Sequence, residues 1–344
     1  MPALRRSSPG LSLPRRSFLL GSAGTGVALV AACSSDKKDP APISGGSTSS
    51  AGAFPVTVAG KAGSVTVPAA PKRVVAAGYL RDTDLALALG ANLVGAARST
   101  SWPSGLAPWQ KPTTKPTLFA TGDGLPTEQL AALHPDLILA SDDYTLAKDY
   151  ATLSKIAPTL SYRQGVGADS WEDMTTRAGQ VLGKTAEATK LVADTRAKIA
   201  SLRAQHPELT GKTFTFGPVS GLDSIFTISR SDDASAVFFS QLGMKLAPAV
   251  TSLPPSATAG RSQVSAERLD VLDADVLIIA YTKPGARAEL EGSQLFKRLK
   301  AVQRGSYVAL DLTTAIAVAF PSVLSIPFGL DATVPLLSTA VSKS

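Results

Sequence analysis

The sequence predicts an α/β protein of two Rossmann-like lobes with mainly parallel sheets, joined by one long α-helix, with a ligand cleft between the lobes. Three observations carry that expectation. Short β-branched runs alternate with helical stretches on both sides of the chain's middle, the pattern of parallel βα units. A helix–strand segment recurs at an offset of 139 residues: 126–140 aligns with 265–279, and Glu128/Glu267, Leu130/Leu269, Leu133/Leu272 and Asp136/Asp275 coincide. Between the copies, residues 170–206 carry recurring apolar positions from Trp171 to Ile199. They read as one helix of about 36 residues, about 54 Å long, or two in sequence.

The first 32 residues read as a targeting segment. Arg5, Arg6, Arg15 and Arg16 are its only charges, and the apolar stretch 18–32 is short of the roughly 20 residues of a membrane span. Arg15-Arg16-Ser17-Phe18-Leu19 has the twin-arginine pattern, and Val30-Ala31-Ala32-Cys33 resembles a lipobox, whose cysteine takes up a lipid. Residues 33–52, rich in Ser, Gly, Pro and Ala, form a tether. The formal charge of +7 owes much to the signal: without its four arginines, 30 basic residues face 27 acidic ones, about +3. That excludes an electrostatic case for nucleic acid.

The elements follow in order. Val56-Thr57-Val58 and Val65-Thr66-Val67 predict a hairpin, 73–77 a strand, 82–89 a helix ended by Gly90, and 92–96 a second strand. A helix over 127–133 and a strand over 136–140 follow. After the connector come strands at 213–216 and 225–228, a helix at 234–242, and strands at 275–280 and 307–310. The expected organisation is a signal over 1–32, a linker over 33–52, an N-terminal lobe over 53–165, the connecting helix over 166–208 and a C-terminal lobe over 209–344.

The Pro71-Lys72-Arg73-Val74-Val75 run into the first strand, the two Glu-x-Leu-x-x-Leu-x-x-Asp units and the long connector, taken in order, resemble the helical-backbone (class III) substrate-binding proteins of ABC importers. That family serves ferric siderophores, haem, cobalamin and some metals. The resemblance implies limited hinge motion and a membrane permease as partner. It also implies that Glu128 and Glu267 dock onto permease arginines.

His134 and His206 are the only histidines, too few for the His-rich sites that bind free zinc or manganese. A bulky, anionic chelate suits the sequence better: it needs aromatic walls and Arg forks. Loops beyond the C-terminal strand ends offer Tyr79, Arg81, Arg98, Trp102, Asp142, Tyr144, Phe226, Arg230, Tyr281, Lys283 and Phe320. The resemblance adds Arg261 and supports Trp102. An enzyme is disfavoured, because a Ser hydrolase would want a Gly-x-Ser-x-Gly elbow and a usable His. The expected function is a monomeric, lipid-anchored extracytoplasmic protein that captures a ferric siderophore, with no cofactor of its own. Haem, cobalamin or a ligand-sensing role stand as alternatives.

Overall fold

The computed structural model describes residues 54–122, 124–256 and 260–344. The twin-arginine segment, Cys33 and the linker lie outside the described residues. The predicted hairpin is present: β1 (Val56–Val58) pairs antiparallel with β2 (Val65–Val67), Val56 opposite Val67. Then β3 (Val74–Ala76), α1 (Arg81–Ala88), β4 (Leu93–Ala97), β5 (Thr117–Phe119), α2 (Thr127–Ala132), β6 (Leu137–Leu139), α3 (Leu146–Ile156) and β7 (Thr159–Leu160) build the first lobe. Its sheet is wholly parallel, in the order β5-β4-β3-β6-β7. β3 and β6 are buried on both faces, which is why they read as unbroken apolar runs.

Of the two expectations for the connector, two helices in sequence is the one present. α4 (Trp171–Leu182) ends at Gly183 in the left-handed region, φ +67°, and α5 (Thr185–Gln205) begins at once. Arg196 reaches back to Glu172 at 3.3 Å, so the two helices form an antiparallel hairpin. Gly179 and Ala188 meet so closely that a Cβ on Gly179 would lie 2.3 Å from that of Ala188. The long helix is thus α5 alone, 21 residues and about 32 Å.

The second lobe contains β8 (Thr213–Gly221), β9 (Ser224–Ile228), α6 (Ala234–Gln241), β10 (Lys245–Leu246), α7 (Pro248–Thr251), β11 (Arg261–Val264), β12 (Val276–Tyr281), α8 (Ala286–Gly292), α9 (Gln294–Lys297), α10 (Lys300–Gln303), β13 (Tyr307–Leu310), α11 (Leu312–Ala319) and α12 (Ser325–Val341). The order is β11-β9-β8-β12-β13, with β10 also on β8. β8, β10, β12 and β13 are parallel, while β9 and β11 run antiparallel at one edge.

The internal repeat has a physical basis. Asp136 accepts hydrogen bonds from the backbone N–H groups of Lys72 (2.7 Å) and Arg73 (2.8 Å), pinning the start of β3. Asp275 accepts from Thr213 N (2.7 Å) and Thr213 Oγ1 (2.8 Å), pinning the start of β8. Leu130 and Leu269 are both buried. The copies differ in one respect: Glu128 lies in the first turn of α2, whereas Glu267 lies in a turn before a 3₁₀ segment, Leu269–Leu272.

A seam joins the lobes beside the connector. Ser322 Oγ, ahead of α12, donates to Asp84 Oδ2 on α1 at 2.5 Å, and Trp102 Nε1 donates to Thr313 Oγ1 at 3.0 Å. Trp109 packs on Phe328, and Tyr79 meets Phe320 edge-on at 5.0 Å. Asp84 is fully covered and also accepts from Gln110 Nε2 (2.7 Å) and Trp109 Nε1 (3.1 Å). Burial still outweighs these bonds and pushes its carboxyl up to about 7. Between roughly pH 4 and 7 the folded chain therefore holds a proton that the unfolded chain releases, so this group's contribution to stability is lost as pH rises through that window. Urea unfolding should show a higher midpoint at about pH 5 than at about pH 8. Asp84→Asn should shrink that difference; an unchanged difference would remove Asp84 from the account.

Candidate functional site

A cleft of about 630 Å³ opens between the lobes, within the usual range for small-molecule sites. From lobe one it takes Arg81, Tyr144 and the 166–168 turn; from lobe two, Phe226, Arg230, Arg261 and Phe320, with Pro218, Asp232 and Asp233 among them. Arg81 opens α1 just beyond β3, and Tyr144 follows β6. β3 and β6 are the pair at which strand order reverses in lobe one, the switch point where open parallel sheets bind ligands.

Lobe one's wall is held by two interlocked carboxylates. Asp142 Oδ2 accepts the backbone N–H groups of Leu80 (3.1 Å) and Arg81 (3.0 Å), so it caps α1 from a separate loop. Its Oδ1 takes Arg81 Nε (2.8 Å) and Nη2 (2.5 Å). In return Asp82, on α1, accepts the N–H groups of Ser141 (3.2 Å) and Asp142 (3.0 Å). Gly78 lies under this clasp: a Cβ there would sit 2.1 Å from Asp82 Oδ2 and 2.8 Å from Asp142 Cβ. Burial works against the Arg81 charge, but Asp142 prevails and holds its pKa above the ordinary arginine value. Burial first, then the charge of Asp142, push the Asp82 carboxyl up to about 7.

Lobe two supplies the other cations. Arg230, exposed at the rim, donates from Nε to Asp232 Oδ1 at 2.8 Å. Asp233 caps α6 by accepting from Ser235 N at 2.9 Å. Arg261 opens β11 opposite Ile228, and among the described residues its guanidinium has no ion pair.

Six of the twelve expected ligand contacts line the cleft: Arg81, Tyr144, Phe226, Arg230, Arg261 and Phe320. The other six do not; Lys283, beyond β12, is exposed outside the lining. Asp142 is wholly covered and serves Arg81 from behind. Tyr281 faces away: alternation along β12 places it with Leu277 and Ile279 on the outer face, its hydroxyl 2.6 Å from that of Tyr307. Arg98 is exposed and donates to Pro103 O instead. Trp102 and Tyr79 belong to the seam, although Tyr79 backs Phe320. Sequence reasoning missed the 166–168 turn and the Asp232–Asp233 pair. The glycines at 165 and 167, and the two acids one residue beyond Arg230, were the available signals.

Comparison with known proteins agrees with this architecture. A family model described as periplasmic binding protein matches residues 75–312. The iron(3+)-hydroxamate-binding protein YxeB of Bacillus subtilis is 29% identical over 249 residues, covering 70% of this chain and 73% of that one. A periplasmic solute-binding protein of Mycobacterium smegmatis superposes with a TM-score of 0.72 at 28% identity, covering 83% of this chain and 98% of the other. PiaA of Streptococcus pneumoniae, solved in complex with ferrichrome, gives 0.71 at 27%, covering 84% and 99%. Among the described residues no helix is long and apolar enough to cross a membrane. With the family model spanning most of the chain and two lobes facing each other across one cleft, the protein belongs to the periplasmic binding protein family.

Proposed function

We propose that this chain is the extracytoplasmic binding component of an ABC importer and that it captures a ferric siderophore of the hydroxamate type. The observation that carries this reading is the cleft itself: two aromatic walls, Phe226 and Phe320, and three arginines around about 630 Å³. The relatives named for iron(3+)-hydroxamate binding and for a ferrichrome complex support it. The charge of the cleft refines the ligand. Arg81 and Arg230 are each paired with an acid, so the lining suits a weakly charged chelate better than the strongly anionic one that the arginines alone suggest. On this reading the twin-arginine segment exports the chain, Cys33 carries a lipid anchor, and the linker holds a monomeric binder near its permease.

Glu128 and Glu267 are both exposed and sit at matching places in the repeat, one in each lobe. They are the proposed contacts with permease arginines. The alternative role for Glu128 is a favourable charge at a helix N-terminus; Glu267, outside any α-helix, does not share it.

Titration with ferric hydroxamates should quench tryptophan fluorescence saturably. Quenching by haem or cobalamin and by no siderophore would overturn the ligand assignment. Reversing both charges, Glu128→Lys with Glu267→Lys, should abolish uptake in cells while the purified protein binds its ligand unchanged; lost affinity would count against docking.

A further inference from the structure

Arg81 reaches the cleft as half of an ion pair, whereas Arg261 reaches it alone among the described residues. Asp142 is fully covered and uses both oxygens on α1, so a ligand in the cleft cannot replace it without dismantling the cap of that helix. Nη1 of Arg81 makes no hydrogen bond within the described residues and is not among their buried unpaired atoms. It is the nitrogen left to donate to a guest.

We propose that Asp142 sets the charge preference of the cleft: by neutralising Arg81 it leaves lobe one a hydrogen-bond donor without net charge, which grips neutral chelates and declines polyanionic ones. The inference rests on the chelate-binding function proposed above and assigns its selectivity to a positioning residue that touches no ligand. Arg81, Asp82 and Asp84 on α1, with Asp143 and Tyr144 on its own loop, interact with Asp142, and Arg177 on α4 interacts with Asp82. Of these, Asp82 and Asp84 both have carboxyls pushed up to about 7, Asp82 by burial and by Asp142, Asp84 chiefly by burial. Protonated, Asp82 leaves the Arg81–Asp142 pair beside it neutral; ionised, it adds a negative charge. The bias against polyanions therefore sharpens as pH rises through about 7.

The test compares two iron probes on the purified protein by equilibrium binding. One is ferrichrome, a ferric tris-hydroxamate whose monoanionic groups just neutralise the metal. The other is a ferric tris-catecholate, whose dianionic groups leave it strongly negative. Asp142→Asn keeps the side-chain shape and frees the Arg81 charge. It should raise affinity for the catecholate relative to ferrichrome by about ten-fold or more. Equal losses for both probes, as a purely structural role would give, would overturn the proposal. Should that variant fail to fold, Asp82→Asn keeps the question open to refutation. It should raise the same ratio above about pH 7 and leave it at the wild-type value about two units lower, and a ratio unmoved at both would overturn the proposal. A wild-type chain that binds neither probe would defeat the chelate-binding function, an outcome distinct from parallel losses in the variants.

Discussion

Asp142 is a carboxylate with no access to water, and a group of that kind persists in a fold only if its hydrogen bonds are made. Four are made, and all run to the first two residues around the start of α1. The result decides where lobe one can meet a ligand. α1 must begin beside the end of β6, the loop carrying Tyr144 must stay near Arg81, and Gly78 must lack a side chain. Removing one partner would leave a buried charge uncompensated, which costs several kcal/mol. The cluster is thus a strong constraint even though pairing two buried charges is a weak source of net stability.

Lobe two meets the same need by other means. Phe226 and Arg261 stand on an antiparallel edge, β9 and β11, added to a parallel core, while Phe320 ends α11. There the cations are nearer to solvent and paired locally, or not at all. One wall of the cleft is therefore held by buried hydrogen bonds and electrically balanced, and the other is more open and carries Arg261, which has no ion pair among the described residues.

Much of the fold was legible in the sequence, because buried parallel strands leave unbroken β-branched runs and paired lobes leave a repeat. The two copies of the repeat share an aspartate for a reason that spacing alone does not reveal: each ties the start of its lobe's first sheet strand. Strands of two or three residues such as β7 and β10 leave too little pattern to read, and α12 is masked by Pro335 in its interior. Whether the connector is one helix or two stayed open in the sequence because its apolar period continues across Gly183, and period cannot tell a straight helix from one folded back on itself. Site residues were legible where a strand end points a side chain into the cleft. They were missed where parity along a strand turned one outward, as at Tyr281, or where a lobe–lobe contact claimed an aromatic, as at Trp102.

The elbow between α4 and α5 has one more consequence. Phe54, the first described residue, packs against the core, and a side chain at Gly183 would collide with its ring. Phe54 thus sits at the bend of the helical hairpin, with β1 seated against α4 just after. Load applied at Phe54 would pass first into the bend between α4 and α5. Arg81, at the start of α1, and Arg261, on β11, stand on other elements than this anchor.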